Sequence, residues 1–272
     1  MQVEVRGVQS HSWRGLSPLL YVIVFSLLGM AFSASMYLSG QHILLSEQTP
    51  SSKVQVEATN NSWHETLPLL PDVAITSIRP GVSAPVVSHI PTNQPVVFLG
   101  IDDGWEHLPE AKELFSKMHL PISFFLTHDA VRGNQQYFRD LQTSGLNIQN
   151  HTVNHPHLPD LTRDQQKAEI CGASHQFAAD YGKQPTLFRP PYGQYNDDTY
   201  TVVAECGIRA IVTWMAYVED GKMHYHKGID RLYPGDIVLM HLKKSFVQDM
   251  AVFIDEANKQ GLSVANLEEW LK

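Results

Sequence analysis

The sequence is short of cysteine and of basic residues. Its 272 residues include two cysteines, Cys171 and Cys206, and no CxxC pair, so no cysteine-based metal motif is present. Lysine and arginine number 20 against 28 aspartates and glutamates, giving a formal net charge of -8. Because no basic stripe is visible, we expect no binding of nucleic acid. Neither GxGxxG nor GxxxxGK[ST] follows the first predicted strand, which argues against a nucleotide-binding fold.

Charged residues are absent from residues 15 to 46. The apolar segment LLYVIVFSLLGMAFSASMYL within this stretch is long enough to span a bilayer core of about 30 Å. Arg6 and Arg14 precede it, so the remainder of the chain is expected outside the cytoplasm. The small residues of FSAS are also typical of a signal-peptidase site. Residues 1–40 are therefore predicted to be a membrane anchor or a cleaved signal, and the protein is predicted to be membrane-anchored facing outside or secreted.

Residues 41–94 are rich in Ser, Thr, Asn and Pro and have no long periodic apolar face, so they are predicted to be a flexible linker. The pattern changes at VVFLGI, and residues 95–272 are predicted to form the catalytic domain. Both cysteines lie there. Sequence does not reveal the distance between them, and two unrelated buried thiols are preferred over a disulfide.

Short apolar runs alternate with amphipathic stretches along this domain. The predicted strands are VVFLGI (96–101), ISFFLT (122–127), LNIQN (146–150), TLFR (186–189), RAIVTW (209–214), DIVLMH (236–241) and LSVANL (262–267). Such alternation predicts an α/β fold with parallel pairing and right-handed crossovers. About 180 residues are few for eight strand–helix units, so a distorted or incomplete (β/α) barrel of about seven strands is predicted.

Polar residues stand at the carboxyl ends of several predicted strands, which is where barrels place their active sites. They are Asp102, Asp103, His151, His155, Arg189, Trp214 and His241.

The motif HTVNH places two imidazoles, His151 and His155, four residues apart, a spacing that puts both on one face of a helical turn. With Asp103 they make a two-histidine, one-carboxylate set with open positions, which suits zinc, with cobalt, nickel or manganese as alternatives. Adjacent carboxylates disfavour joint ionisation, and a cation on Asp103 offsets this. Asp102 is then placed beside the metal-bound water as a general base.

His241 is the candidate acid that protonates a departing nitrogen, so amide hydrolysis is the predicted chemistry. In RPPYG, two prolines lack an N–H, and the first free amide is that of Tyr192, a candidate oxyanion donor. Arg189 is a candidate partner that holds Asp102 ionised. The alternative interpretation of RPPYG is a tight structural loop with a surface ion pair.

The motifs GIDDG, HTVNH and RPPYG, the strand ending in Trp214, and LMH occur in the order found in the polysaccharide deacetylase family. This is the fourth family of carbohydrate esterases and includes chitin and peptidoglycan N-acetylglucosamine deacetylases. The chain resembles it from about Val96 to Leu271. The resemblance implies a distorted (β/α) barrel and a divalent metal, usually zinc, that serves to remove acetyl from a sugar amide or ester.

The resemblance also implies a role for each matching residue. These are the base Asp102, the metal ligands Asp103, His151 and His155, the acid His241, the base-orienting Arg189, the oxyanion-facing amide of Tyr192, and the acetyl-pocket walls Trp214 and Leu239. Three departures stand out. Trp105 replaces a usual proline, and Leu242 follows His241 where a polar residue is common. Tyr217 replaces the aspartate that tunes the catalytic histidine, with Glu219 and Asp220 slightly later. Trp105 is predicted to stack on a sugar ring or else to serve packing alone.

The leading functional hypothesis is a metal-dependent hydrolase that removes acetyl groups from N-acetylated, or O-acetylated, cell-wall or extracellular polysaccharide. The alternatives are a catalytically silent carbohydrate-binding protein on the same fold and a deacylase of a small amide. The expected partners are an acetylated glycan and a membrane, and a monomer is expected.

Overall fold

A computed structural model of the protein describes residues 83–272. The predicted anchor or signal segment and residues 41–82 of the predicted linker lie outside the described residues. Within residues 83–272, no helix combines the length and the apolar character needed to cross a membrane.

The described chain alternates strands and helices. The strands are β1 (Val86–Val87), β2 (Val96–Asp103), β3 (Ser123–Leu126), β4 (Asn147–Asn150), β5 (Leu187–Phe188), β6 (Ala210–Val212), β7 (Ala216–Glu219), β8 (Lys222–Tyr225), β9 (Ile237–His241) and β10 (Ser263–Val264). The helices are α1 (Pro109–Met118), α2 (His128–Val131), α3 (Gln135–Thr143), α4 (Arg163–Tyr181), α5 (Asp197–Glu205), α6 (Phe246–Lys259) and α7 (Leu267–Trp270).

One sheet contains these strands in the order β1-β6-β5-β4-β3-β2-β9-β7-β8, and β10 pairs with the start of β2. Every pair from β1 to β7 is parallel, and only β8 runs antiparallel, in a hairpin with β7. The predicted α/β class with parallel pairing is confirmed. The fold is a curled, half-barrel sheet with helices, in which the carboxyl ends of β2, β4 and β9 share one edge.

Alternate residues of the strands pack into two apolar layers. The layer on one face joins β2, β3, β5, β6 and β9 through Phe98, Phe125, Leu187, Val212 and Ile237. The layer on the other face packs neighbouring strand residues against the helices and contains Leu99, Phe124, Leu126, Val238, Met240, Phe115, Phe177 and Phe253. Because both faces are covered, the strands appear in the sequence as nearly continuous apolar runs.

The catalytic domain begins earlier than the predicted boundary. Val87 and Ile90 are buried, and β1 pairs with β6. Beyond β1, the Ser88 carbonyl accepts from the Ile237 amide at 3.4 Å, and the Ile90 amide donates to the Gly235 carbonyl at 2.9 Å. Residues 83–94 therefore belong to the fold and link β6 to the start of β9. Their prolines and serines resemble a linker in composition, although Ala84, Val87 and Ile90 among them are buried.

Cys171 on α4 and Cys206 at the end of α5 form a disulfide. The preferred prediction of two unrelated thiols is wrong. The cysteines are 35 residues apart in sequence, but α4 packs against α5 and brings their Cα atoms to 5.0 Å. Helix pairing of this kind is not visible in cysteine spacing.

Candidate active site

Asp103, His151 and His155 come together as the sequence predicts. Oδ1 of Asp103 lies 3.6 Å from Nε2 of His151 and 3.4 Å from Nε2 of His155. One ligand atom from each residue lies within 4.8 Å of the others. Asp103 Oδ1 is buried and, among the described residues, has no hydrogen-bond partner. A buried carboxylate oxygen without a partner is costly, and a cation held with the two imidazoles would satisfy it.

The hydrogen bonding of His151 also fits a metal ligand. Its Nδ1–H donates to the Arg189 carbonyl at 2.6 Å, which leaves the lone pair on Nε2 facing Asp103. Burial lowers the pKa of His151 to about 3, although the negative charge of Asp103 acts to raise it. The imidazole is therefore neutral at pH 7. A neutral imidazole with its free nitrogen aimed at a carboxylate is the form that binds a divalent cation.

The backbone around the three ligands is held in unusual conformations. Asp103, Thr152 and His155 have φ values of 77°, 71° and 62°, in the left-handed region that residues other than glycine seldom adopt. Two hydrogen bonds hold the histidine loop: the Thr152 amide donates to Asn150 Oδ1 at 2.8 Å, and the His155 amide donates to Thr152 Oγ1 at 3.0 Å. Such strain persists where surrounding contacts over-determine it, and it is concentrated at functional sites.

Asp102 forms a buried ion pair with Arg189. Arg189 Nη1 donates to Asp102 Oδ1 at 2.6 Å, and its guanidinium lies over the Phe125 ring at 4.2 Å. Arg189 is fully buried, so the alternative of a surface ion pair is wrong. Burial raises the pKa of Asp102, while the charge of Arg189, the charge of His241 and the Arg189 hydrogen bond oppose this rise.

A glycine makes room for this ion pair. A Cβ atom on Gly100 would lie 2.6 Å from Nη2 of Arg189, which is closer than real contacts allow. The role of Gly100 was not predicted from the sequence. The available signal is a glycine inside an otherwise apolar strand, which often marks a close approach.

The predicted acid lies beside the predicted base. His241 on β9 is the register partner of Asp102 on β2, and two residues earlier Leu239 pairs with Gly100. Leu239 also pairs with Tyr217 on β7 and is buried.

The remaining predicted residues lie on the loops that follow the strands. Tyr192 has φ of 59°, its side chain is 63% exposed, and its ring lies edge-on to His155 with centroids 4.7 Å apart. Trp214 follows β6, and its ring would meet a Cβ on Gly193 at 2.9 Å. Trp105 lies two residues after Asp103 and is 53% exposed. Each predicted site residue therefore belongs to β2, β9 or the segments that follow β2, β4, β5 and β6.

Comparison with known proteins agrees with this geometry. Residues 89–211 match the family model described as polysaccharide deacetylase. An uncharacterised protein of Streptomyces coelicolor is 38% identical over 192 residues, covering 69% of this chain and 77% of that protein. A peptidoglycan-N-acetylglucosamine deacetylase of Bacillus cereus is 25% identical over 201 residues, covering 69% of this chain and 93% of that protein.

Solved structures share the fold. A family 4 carbohydrate esterase pseudoenzyme from Bacillus anthracis matches with a TM-score of 0.61 at 23% identity, covering 70% of each chain. This likeness shows that the half-barrel fold is shared with a protein of that family. The chain belongs to the polysaccharide deacetylase family, the fourth family of carbohydrate esterases.

Proposed function

We propose that this protein is a metal-dependent polysaccharide deacetylase that hydrolyses the acetamide C–N bond of N-acetylated sugars. The observation that carries the proposal is the buried, unpartnered Oδ1 of Asp103 facing the Nε2 atoms of His151 and His155. The names of relatives support the same class: they include a peptidoglycan-N-acetylglucosamine deacetylase and a chitooligosaccharide deacetylase.

Asp103, His151 and His155 would hold a divalent cation, which would supply a Lewis acid for the acetyl carbonyl and lower the pKa of water at the site. Zinc suits two imidazoles and one carboxylate, and the metal arm of the test below separates it from cobalt, nickel and manganese. The remaining tasks of the reaction fall to side chains and amides of the chain itself.

Asp102 removes a proton from the attacking water through Oδ2, because Oδ1 is held by Arg189. His241 donates a proton to the sugar nitrogen as the C–N bond breaks, which releases acetate and a free amine. The Tyr192 amide binds the oxyanion. Leu239 and Trp214, which match the acetyl-pocket walls of the family, enclose the acetyl group, and the exposed Trp105 stacks on the sugar ring.

We also propose that the protein acts outside the cytoplasm, tethered or released through its apolar N-terminal segment. The Cys171–Cys206 disulfide supports export, because such bonds persist in oxidising compartments. Relatives named for peptidoglycan support a wall-facing location.

The test is acetate release by the full chain from N-acetylglucosamine oligomers, peptidoglycan fragments, O-acetylated xylan and acetamide. The protein is stripped with chelator and then reloaded with zinc, cobalt, nickel or manganese in turn. Release that disappears on stripping and returns with metal is expected, with oligomers preferred to acetamide. Equal turnover of acetamide and oligomers would instead favour a small-amide deacylase.

A second candidate is a catalytically silent carbohydrate-binding protein, and Tyr217 in place of the family's aspartate is the observation that favours it. In that case, metal-loaded protein binds N-acetylglucosamine oligomers in calorimetry but releases no acetate from any member of the panel.

A further inference from the structure

Tyr217 does not supply the negative charge expected at its position. Its ring stacks on His224, its register partner across the β7–β8 hairpin, with centroids 4.5 Å apart and planes 9° apart. Asp220 is exposed at the turn of this hairpin with φ of 50°. A carboxylate on β7 that acts on His241 must therefore belong to a residue other than Tyr217 or Asp220.

The strand register places Glu219 beside His241. Ala216 and Tyr217 pair with Val238 and Leu239 in parallel, and continuing this register brings Glu219 opposite His241. Val218 and Met240 lie in the layer under the helices, so Glu219 and His241 lie on the opposite face of their strands.

The same face leads to the predicted base. Gly100 pairs with Leu239, and a Cβ there would point at the Arg189 guanidinium that holds Asp102. Asp102 and His241 are the next pair on that face. His241 thus has the carboxylate of Asp102 on one neighbouring strand and that of Glu219 on the other.

Glu219 forms a partly exposed ion pair with a lysine from the loop that follows β9. Lys243 Nζ lies 2.5 Å from Glu219 Oε1. The pKa of Glu219 is lowered chiefly by the hydrogen bond and charge of Lys243, and also by the charges of His241 and His224. The charged and titratable groups around His241 are thus Asp102 from β2, Glu219 from β7, Lys243 beyond β9 and, behind Glu219, His224 from β8.

We infer that Glu219 is the positioning residue for the catalytic acid: its negative charge on the neighbouring strand stabilises the protonated form of His241, in place of the aspartate that Tyr217 displaces. The inference rests on the proposed function, because it assigns His241 the role of proton donor. Glu219 acts through His241 and does not contact the reacting atoms.

The test compares Glu219→Gln with Lys243→Gln in the full chain. Glu219→Gln is expected to lower kcat on N-acetylglucosamine oligomers three- to about tenfold at unchanged KM and to move the alkaline limb of the kcat profile to lower pH. The effect is modest because Glu219 is partly exposed and its field is screened. Lys243→Gln removes a positive charge instead, so the alkaline limb of its kcat profile should stay in place or move to higher pH. Its kcat should remain within about twofold of the wild-type value.

A second readout does not need turnover. Imidazole NMR of the metal-free protein follows the protonation of His241, and Glu219→Gln should move its midpoint down by about half a unit to one unit. Tyr217→Asp in the Glu219→Gln background should restore both kcat and the midpoint by returning a carboxylate to this face.

Equal losses in Glu219→Gln and Lys243→Gln would reduce Glu219 to one half of a structural ion pair. An unmoved NMR midpoint would overturn the inference even in an active enzyme. A wild-type protein that releases no acetate, but whose midpoint moves as expected, would refute the proposed function and leave the Glu219–His241 coupling standing.

Discussion

The two halves of the site are held in different ways. The metal half, Asp103 with His151 and His155, is fixed mainly by the backbone: two of its three residues have positive φ, and main-chain amides bind Asn150 and Thr152 side chains. The proposed acid half, His241 with Asp102 and Glu219, instead brings side-chain charges together from neighbouring strands. Backbone-fixed ligands must occupy particular sequence positions, whereas a charge that acts through its field can be supplied from another position on the same face.

Asp102 and Asp103 are adjacent in sequence but belong to different halves of the site, and their substitution should have the largest effects on activity. Asp103→Asn should abolish tight metal binding, measured by chelator competition, and with it acetate release. Asp102→Asn should keep the metal but lose about 10²- to 10⁴-fold in kcat, because it removes the proposed general base.

Asp102→Asn should also lower the stability of the protein. It leaves the fully buried charge of Arg189 without a counter-charge, so stability should fall by about 3 kcal/mol in chemical denaturation. Assays are therefore run below the melting transition. If the two variants bound metal equally weakly, the assignment of one carboxylate to the metal and the other to the base would be wrong.

His241→Asn should produce the next largest effect and confine it to the acid half. The expected loss in kcat is about 10²- to 10⁴-fold on an amide substrate, since the leaving amine needs a proton. Metal content, measured by atomic emission, should match that of the wild type. Loss of metal in this variant would show that the two halves are not separable.

The contrast between the halves also explains what sequence could predict. All seven predicted strands overlap observed ones, namely β2, β3, β4, β5, β6, β9 and β10. Strands buried on both faces are visible in the sequence because they form continuous apolar runs. Residues at their carboxyl ends were found for the same reason. The β7–β8 hairpin was missed: its mixed sequence AYVEDGKMHY lacks such a run.

The rest depends on proximity in space. Arg189 can be buried where it is only because Gly100 has no side chain. Glu219 and His241 share a face because of a strand register that is defined only once the strands pair. The disulfide likewise depends on how two helices pack. In each case the interacting residues are far apart in sequence, and no local periodicity links them.

Thr152→Val tests how strongly the backbone holds the metal half. Valine keeps the branched shape but removes the oxygen that accepts from the His155 amide. Metal affinity should fall about tenfold, as when a group that orients a ligand is removed. Thr201→Val, which removes a hydroxyl from α5 and its hydrogen bond to the Asp198 carbonyl, is the matched control and should leave affinity unchanged. Unchanged affinity in Thr152→Val would mean that the loop is held by other contacts.

Trp105→Ala should have the smallest effect and should involve neither half. The side chain is 53% exposed, so stability should change little, whereas loss of stacking should lower kcat/KM on N-acetylglucosamine oligomers by about three- to tenfold. Tyr233→Ala is the control, because Tyr233 is 40% exposed but precedes β9, at the end of that strand away from His241. Acetamide has no sugar ring, so its turnover should not change in Trp105→Ala. An equal loss on acetamide and oligomer would therefore mean that Trp105 supports the catalytic groups, and stacking on the substrate would be ruled out as its role.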